Sequence, residues 1–223
     1  MKSFAEQVLS YHFALEPAIS LPDRIEWLMP YDHPETRNCM EAFYHLFYRD
    51  KGKRTFILGI NPGRFGAGLT GIPFTDPIRL ESLGIPNSFP KKQELSSVFI
   101  YDMIDACGGP SIFYRQFYIT SLSPLGFTKN GTNYNYYDDP DLLRLVTPFI
   151  IQNINTQLRF GAERSRVFCL GQGKNYDFLL KLNEVHGWWK RVIPLPHPRW
   201  IMQYKRSQKD RFVQDYVKAL TIT

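Results

Sequence analysis

Short apolar runs alternate with longer segments of helical periodicity along this chain. Four of these runs have the length and the flanking turn residues of buried strands. They cover residues 55–60, 117–120, 167–171 and 191–195. The other segments repeat apolar residues about every three to four positions, which predicts helices. The predicted helices cover residues 4–15, 35–49, 93–106, 141–160, 174–185 and 204–220.

This alternation of strands and helices predicts an α/β fold. We expect a three-layer sandwich, in which a central four-stranded parallel sheet is flanked by helices. A chain of 223 residues with 43% hydrophobic content suits one such domain over residues 1–223. Ligands of these folds bind outside the carboxyl ends of the strands. The residues that directly follow the strands are therefore the first candidates for a functional site.

Unusual sequences follow three of the four predicted strands. They are Asn-Pro-Gly-Arg-Phe-Gly at 61–66, Ser-Leu-Ser-Pro-Leu at 121–125 and Pro-His-Pro-Arg-Trp at 196–200. We expect all three to meet in one crevice, because the carboxyl ends of parallel strands lie at one edge of the sheet. The Asn-, Tyr- and Asp-rich stretch 130–139 instead has the composition of an exposed, partly disordered loop.

The glycines Gly66, Gly68 and Gly71 match the spacing of a dinucleotide-binding motif. Their context argues against that function, because a loop follows the strand and Pro73 and Pro77 come next, so a regular helix is not expected to start there. The lysine and hydroxyl residue of a phosphate-binding loop are also missing. We interpret the glycines as loop residues that relieve backbone crowding, and we expect no nucleotide cofactor.

The amino-acid composition indicates a cellular compartment and one class of binding partner. Cys39, Cys107 and Cys169 form no C-x-x-C pair, which indicates neither a disulfide framework nor a zinc site and favours a reduced, cytosolic compartment. We find no signal peptide and no apolar run of about 18 residues, so we expect no membrane association. The net charge of +6, with basic residues crowded near the C-terminus, fits a polyanionic partner or simply a solvated helix face.

Three motifs in one chain order resemble those of the uracil-DNA glycosylase superfamily. Gly-Ile-Asn-Pro-Gly at 59–63 resembles its first motif, and the continuation through Phe65 and Phe74 is most similar to the single-strand-selective monofunctional branch. The sequence at 121–125 is similar to that branch's middle motif, and His197 stands where the superfamily has its catalytic histidine. The resemblance implies a DNA repair enzyme that flips uracil, or a related deaminated or oxidised base, out of DNA. It would hydrolyse the N-glycosidic bond without cutting the strand.

The resemblance implies two catalytic residues, Asn61 and His197. Asn61 would position the attacking water, and since an amide cannot take a proton at neutral pH, slower turnover than in aspartate-type enzymes is expected. His197 would donate a hydrogen bond to the 2-carbonyl oxygen of the departing uracil, an interaction typically worth about 3–4 kcal/mol. A neutral and a cationic imidazole both suit this role. The structural alternatives are a turn-forming asparagine and a packed histidine.

Four residues are implied to contact the base: Gly63, Phe65, Phe74 and Ser121. Phe74 is the candidate stacking platform, a contact worth about 1–3 kcal/mol per base, and core packing is its alternative. Ser121 stands where the branch usually has an asparagine. A hydroxyl makes one contact where an amide makes two, so the range of accepted bases stays open.

The segment after His197 is expected to contact DNA. Arg199 and Trp200 would fill the gap that the flipped base leaves, unless Trp200 packs on the domain instead. Lys205 and Arg206 would hold backbone phosphates. We expect a monomer that binds uracil-containing DNA, single- or double-stranded, in the cytoplasm at the nucleoid. No metal or other cofactor is expected. The iron–sulfur branches of the superfamily need four cysteines, and this chain has three.

Three other functions remain open at this point. The first is a mismatch-type glycosylase for guanine-paired uracil or deaminated purine bases. The second is a catalytically weak relative that only binds DNA. This alternative stays open because Ser121 stands where the branch usually has an asparagine. The third is an α/β enzyme acting on a free nucleoside, which would not show salt-dependent DNA binding.

Overall fold

The computed structural model describes residues 2–221, and its strands form two sheets. The strands are β1 Ile25–Leu28, β2 Arg54–Gly59, β3 Phe117–Ser121, β4 Gly126–Lys129, β5 Thr132–Tyr134, β6 Ala162–Leu170 and β7 Val192–Leu195. The α-helices are α1 Phe4–His12, α2 Pro34–Phe47, α3 Ala67–Thr70, α4 Pro77–Ser82, α5 Leu95–Ala106, α6 Pro110–Gln116, α7 Pro140–Leu158, α8 Lys174–His186, α9 Pro198–Tyr204 and α10 Lys209–Thr221. A 3₁₀ turn, Arg206–Gln208, joins the last two helices.

The central sheet has the strand order β3-β2-β6-β7, and each neighbouring pair is parallel. Ile57 of β2 lies between Ile119 of β3 and Phe168 of β6, and all three side chains are buried. Helices flank the sheet, and strands covered on both faces read as continuous apolar runs. The predicted α/β fold with four parallel strands is therefore confirmed.

The strand β6 begins earlier than its predicted start at 167. Residues 162–166 carry little apolar pattern, and the register with β2 shifts near Arg54 and Phe56. A polar, irregular strand end of this kind gives no period-2 signal.

The second sheet, in the order β1-β4-β5, was not predicted from the sequence. Its strands pair antiparallel, and they have three or four residues each, too few for a periodic signal. Gly126 explains how closely this sheet approaches the central one, since a Cβ there would lie 2.3 Å from the carbonyl oxygen of Pro62. The small sheet therefore packs directly on the loop that follows β2.

The expectation of an exposed, partly disordered loop at 130–139 was only partly right, because residues 130–133 are exposed but the stretch is ordered. This stretch contains β5, and Tyr136 is fully buried, with its hydroxyl donating to Oδ1 of Asn175 at 2.7 Å. Polar composition hid this order because the buried tyrosine has a hydrogen-bond partner for its one polar group.

The predicted helix 204–220 is present as α10, but it starts five residues later than predicted. The chain forms α9, breaks at Lys205 and starts α10 at Lys209. Pro198 occupies the first turn of α9, where its missing N–H is tolerated and its fixed φ suits a helix. Lys209 pairs with Asp102 of α5 at 2.6 Å, which anchors the start of α10.

The glycine-rich segment behaves as its context indicated. It forms only the single turn α3, which ends at Gly71 with φ +71°. A Cβ at Gly68 would lie 2.6 Å from the carbonyl oxygen of Gly63, so this glycine permits the close approach of two backbone segments. Within residues 2–221, no helix has the length and apolar character needed to cross a membrane.

A fully buried arginine, Arg54, supports the start of β2. Its guanidinium donates to both carboxylate oxygens of Asp50 at 2.6 and 2.7 Å and to the carbonyl oxygens of Gly52 and Tyr114. The ring of Phe4 lies 4.9 Å from its central carbon. A buried charge needs such partners because its desolvation is expensive.

We expect Asp50→Asn to lower the free energy of unfolding at pH 7 by about 1–2 kcal/mol, since the half-exposed carboxylate loses charge-assisted hydrogen bonds. The hydrogen bonds from Arg54 hold the pKa of Asp50 near 2, below its unfolded value of 3.8. The stabilisation is thus complete above about pH 4 and declines as the pH falls towards 2.

Urea denaturation of both proteins between pH 7 and 3 measures this difference. Asp215→Asn, at an exposed ion pair with Arg211, is the control and should change stability little. An equal effect of the two substitutions would contradict the role assigned to Asp50.

Candidate active site

A cavity of about 310 Å³ opens at the carboxyl ends of the central strands. Asn61 reaches it from the loop after β2, Ser121 from the end of β3, and His197 from the turn after β7. The three strand-end sequences therefore meet in one crevice, as expected. The volume lies at the lower end of the usual range for small-molecule sites.

The side-chain amide of Asn61 is held by the β5 region. Its Nδ2 donates to the carbonyl oxygen of Tyr134 at 3.2 Å and to that of Pro62 at 3.3 Å, while its Oδ1 accepts from the N–H of Tyr136 at 3.3 Å. These bonds define which end of the amide is oxygen. One lone pair of Oδ1 remains for a further donor, which suits a water molecule.

His197 is the N-cap of α9, and its ring has a defined tautomer. Nδ1 accepts a hydrogen bond from the backbone N–H of Arg199 at 3.1 Å, so the neutral ring carries its proton on Nε2. Burial, and secondarily the charge of Arg199, lower the pKa of His197 to about 4. The imidazole is thus neutral at physiological pH, with Nε2–H as its hydrogen-bond donor.

Phe74 lies beside His197, with ring centroids 6.0 Å apart. Its ring also covers Gly59, where a Cβ would lie 3.1 Å from the ring and 3.4 Å from Oγ of Ser121. The backbone of Phe74 is left-handed, with φ +55°. This conformation costs a non-glycine residue roughly 1–2 kcal/mol, which is typical of functional positions rather than of simple core packing.

The residues predicted to contact DNA lie at the mouth of the cavity or beyond it. Arg199 and Trp200 line the cavity, and Trp200 is 42% exposed. The rings of Trp200 and Phe212 pack edge to face, with their centroids 6.1 Å apart. Lys205 and Arg206 are exposed after α9 and do not line the cavity. Their phosphate contacts remain predictions.

Two of the predicted base contacts differ in position. Gly63 lines the cavity, whereas Phe65 does not. Phe65 is 37% exposed, and its ring contacts two cations, with Nζ of Lys92 at 3.6 Å and the guanidinium carbon of Arg64 at 4.9 Å from its centroid. This position favours a contact outside the cavity over a direct contact with the base.

Several cavity residues were not predicted from the sequence. They are Glu94 and Ser96 around the start of α5, Asn133, Asn135 and Tyr137 from the β5 region, and Gln203 and Tyr204 from α9. Burial, followed by the nearby Asp76, raises the pKa of Glu94 to about 7. A glutamate just before a helix is common, so the sequence held no signal for this one. Within residues 2–221, no group of three or more His, Cys, Asp or Glu side chains could hold a metal ion.

The sequence profile of the uracil DNA glycosylase superfamily matches residues 46–221. The chain belongs to this superfamily. Its matched region contains every residue of the cavity described above. The predicted family is therefore confirmed.

Individual relatives of this superfamily member are also informative. A single-strand selective monofunctional uracil-DNA glycosylase of Rattus norvegicus is 31% identical over 116 residues, which is 44% of this chain and 42% of that protein. The corresponding protein of Bos taurus is 29% identical over 100 residues, 37% of each chain. The alignments thus span about two fifths of these relatives. The crystal structure of wild-type Pedobacter heparinus SMUG2 matches with 49% identity and a TM-score of 0.96, covering 98% of this chain and 97% of that one.

We expect His197 to be neutral and protonated at Nε2 throughout pH 5.5–8, because its pKa lies near 4 and its Nδ1 accepts a backbone hydrogen bond. Long-range ¹H–¹⁵N NMR spectra of the imidazole distinguish the two tautomers and the cation. In Arg199→Gln the pKa of His197 should rise only in part, since burial is the larger cause. A titration midpoint near 6.5 in the parent protein, or an Nδ1–H tautomer, would contradict this assignment.

Proposed function

We propose that this chain is a monofunctional DNA glycosylase that removes uracil, or a related deaminated or oxidised base, from DNA. The observation that carries the proposal is the meeting of Asn61, Phe74 and His197 around one cavity. The rat and bovine relatives are named uracil-DNA glycosylases, and this supports uracil as the base. A flipped base is required because the glycosidic bond is unreachable inside a duplex.

The base would lie on the ring of Phe74 with its 2-carbonyl oxygen towards His197. As the bond from C1′ to N1 breaks, negative charge develops on this oxygen, and Nε2–H of His197 donates to it. A fixed donor in a site with little water needs no reorganisation when the charge appears, which is why it lowers the barrier. The neutral ring also avoids the desolvation that a buried cation would require.

The nucleophile in this mechanism is a water molecule held by Oδ1 of Asn61. The hydrogen bonds with Tyr134 and Tyr136 fix this oxygen before the substrate binds. The water oxygen forms a bond to C1′ as N1 leaves, and the proton lost by water ends on the released uracil. Asn61 orients the water without accepting its proton, so its contribution is positioning.

The basic residues after His197 support DNA as the partner. Arg199 and Trp200 at the mouth would fill the gap in the base stack, and Lys205 and Arg206 would bind phosphates further along the strand.

Size-exclusion chromatography with light scattering tests our proposal that the protein is a monomer. Microscopy of a fluorescent fusion tests the proposed cytoplasmic, nucleoid-associated location.

We expect His197→Ala and Asn61→Ala each to reduce single-turnover base release by about 10²–10³-fold, the usual effect of losing one positioned catalytic group. Both should keep DNA affinity, because neither side chain contacts a phosphate in this mechanism. Release of uracil from a single-stranded oligonucleotide, followed by alkaline cleavage of the abasic strand, gives the rate. His45→Ala, at an exposed site on α2, is the matched control. Full rates in both variants would refute the proposed site.

A second experiment addresses the phosphate contacts. Replacing Lys205 and Arg206 together with alanine should weaken binding to all sequences and reduce the slope of log affinity against log salt by roughly 1–2, because each phosphate contact contributes about 0.7–0.9. Fluorescence anisotropy from 50 to 300 mM salt measures this slope. The control pair, Lys181 and Lys190, is also exposed but belongs to α8 and to the loop before β7, not to the segment after α9. Equal slopes for the two double variants would remove the assignment.

A further inference from the structure

The carboxyl group of Glu94 stands in the cavity without a hydrogen-bond donor. Its backbone N–H donates to Oδ2 of Asp76 at 2.9 Å, which fixes the residue just before α5. Its oxygens lie over the loop after β2, 3.8 Å from where a Cβ on Gly63 would be and 2.1 Å from one on Gly66. Among the hydrogen bonds of residues 2–221, none ends on either carboxyl oxygen of Glu94. Both oxygens are therefore available to a ligand.

In the proposed position of the base, the remaining polar atoms of uracil face the rest of the cavity lining, which includes Glu94. With its 2-carbonyl oxygen at His197 and C1′ at Asn61, a pyrimidine on Phe74 presents N3–H and the 4-carbonyl oxygen to the rest of the lining. This edge contains one donor and one acceptor. Ser121 offers a single hydroxyl. Of the amides in the lining, Asn133 already accepts from the N–H of Arg64, Asn135 already donates to Asp138, and Gln203 is exposed. A side chain that has both functions and no partner of its own would complete the pairing.

The two protonation states of a carboxyl group differ in what they can pair with. A neutral carboxyl has one O–H donor and one carbonyl acceptor, the same pair that a side-chain amide presents. A carboxylate has only acceptors, so it would repel the 4-carbonyl oxygen of uracil. The neutral form thus matches the N3–H and carbonyl edge, and the ionised form does not.

We propose that Glu94, in its neutral form, is the specificity-determining residue that pairs with N3–H and the 4-carbonyl oxygen of the flipped uracil. This inference rests on the proposed glycosylase function and adds to it the group that reads the base. It gives the cavity the donor and acceptor pair that Ser121 alone lacks.

The charges around Glu94 are consistent with a neutral carboxyl. Asp76, at the start of α4, faces it and raises its pKa, whereas Arg199 of α9 lowers it. Burial is the largest influence, and the resulting pKa of about 7 makes the neutral form abundant at physiological pH. Since uracil would bind the neutral form better, KM should rise with pH above this value.

The experiment compares the parent protein with Glu94→Gln and Glu94→Leu on single-stranded oligonucleotides carrying one uracil, between pH 5.5 and 9. For the parent protein we expect a constant KM below pH 6.5 and a rise approaching tenfold per pH unit above about 7.5, as the neutral fraction falls. The amide of Glu94→Gln cannot ionise, so its KM should stay near the low-pH value throughout. Glu94→Leu should show a KM roughly 10–100-fold higher and independent of pH, since it leaves the base edge unpaired.

A binding measurement separates base reading from a structural role. Anisotropy with an oligonucleotide containing 2′-fluorinated deoxyuridine, which resists hydrolysis, should show the same pH dependence as KM and the same rescue by glutamine. Glu184→Gln, at an exposed site on α8, is the matched control and should behave as the parent. Thermal unfolding of each variant checks that it is folded.

Three results would overturn the inference: a KM of the parent that does not change with pH, equal KM values for the glutamine and leucine variants, or a loss confined to kcat. The last result would assign Glu94 to proton transfer instead. A parent protein that releases no base at any pH would instead contradict the proposed function itself.

Discussion

The candidate site depends on the contact between the two sheets. The β5 region holds the Asn61 amide through backbone groups of Tyr134 and Tyr136, and Gly126 of β4 lets this sheet approach the carbonyl oxygen of Pro62. The first motif is therefore not a free loop at a strand end. Its geometry is fixed by a small antiparallel sheet, which holds the Asn61 amide through backbone hydrogen bonds.

The cavity favours the neutral forms of its titratable side chains. Three titratable side chains in its lining have a shifted pKa, namely Glu94, Tyr137 and His197, and burial shifts each of them towards its neutral form. A neutral donor beside a developing anion, and a neutral carboxyl beside a base edge, suit a reaction in which charge appears only as the bond breaks. The exposed Lys205 and Arg206, which are proposed to bind the DNA backbone, place their positive charge outside the cavity.

The sequence predicted what long patterns and short motifs encode. The central sheet followed from apolar runs such as 55–60, and the crevice followed from the rule that parallel strands end at one edge. It missed β1, β4 and β5, which are too short for a periodic signal, and it interpreted the polar stretch around Tyr136 as a loop. It also missed Glu94, because a side chain brought into a cavity by tertiary packing leaves no mark on local pattern. The tautomer of His197 likewise depends on a backbone contact that only the fold defines.

The left-handed backbone at Phe74 sets stability against function at a single position. Glycine would adopt this left-handed conformation without strain. Glycine has no aromatic ring, however, so it could not stack on a base. If Phe74 is the stacking platform proposed above, selection for heat resistance alone would favour its loss, whereas selection for repair would retain an aromatic residue despite its conformational penalty. Engineers who seek a more robust variant should therefore look elsewhere in the chain and leave this turn unchanged.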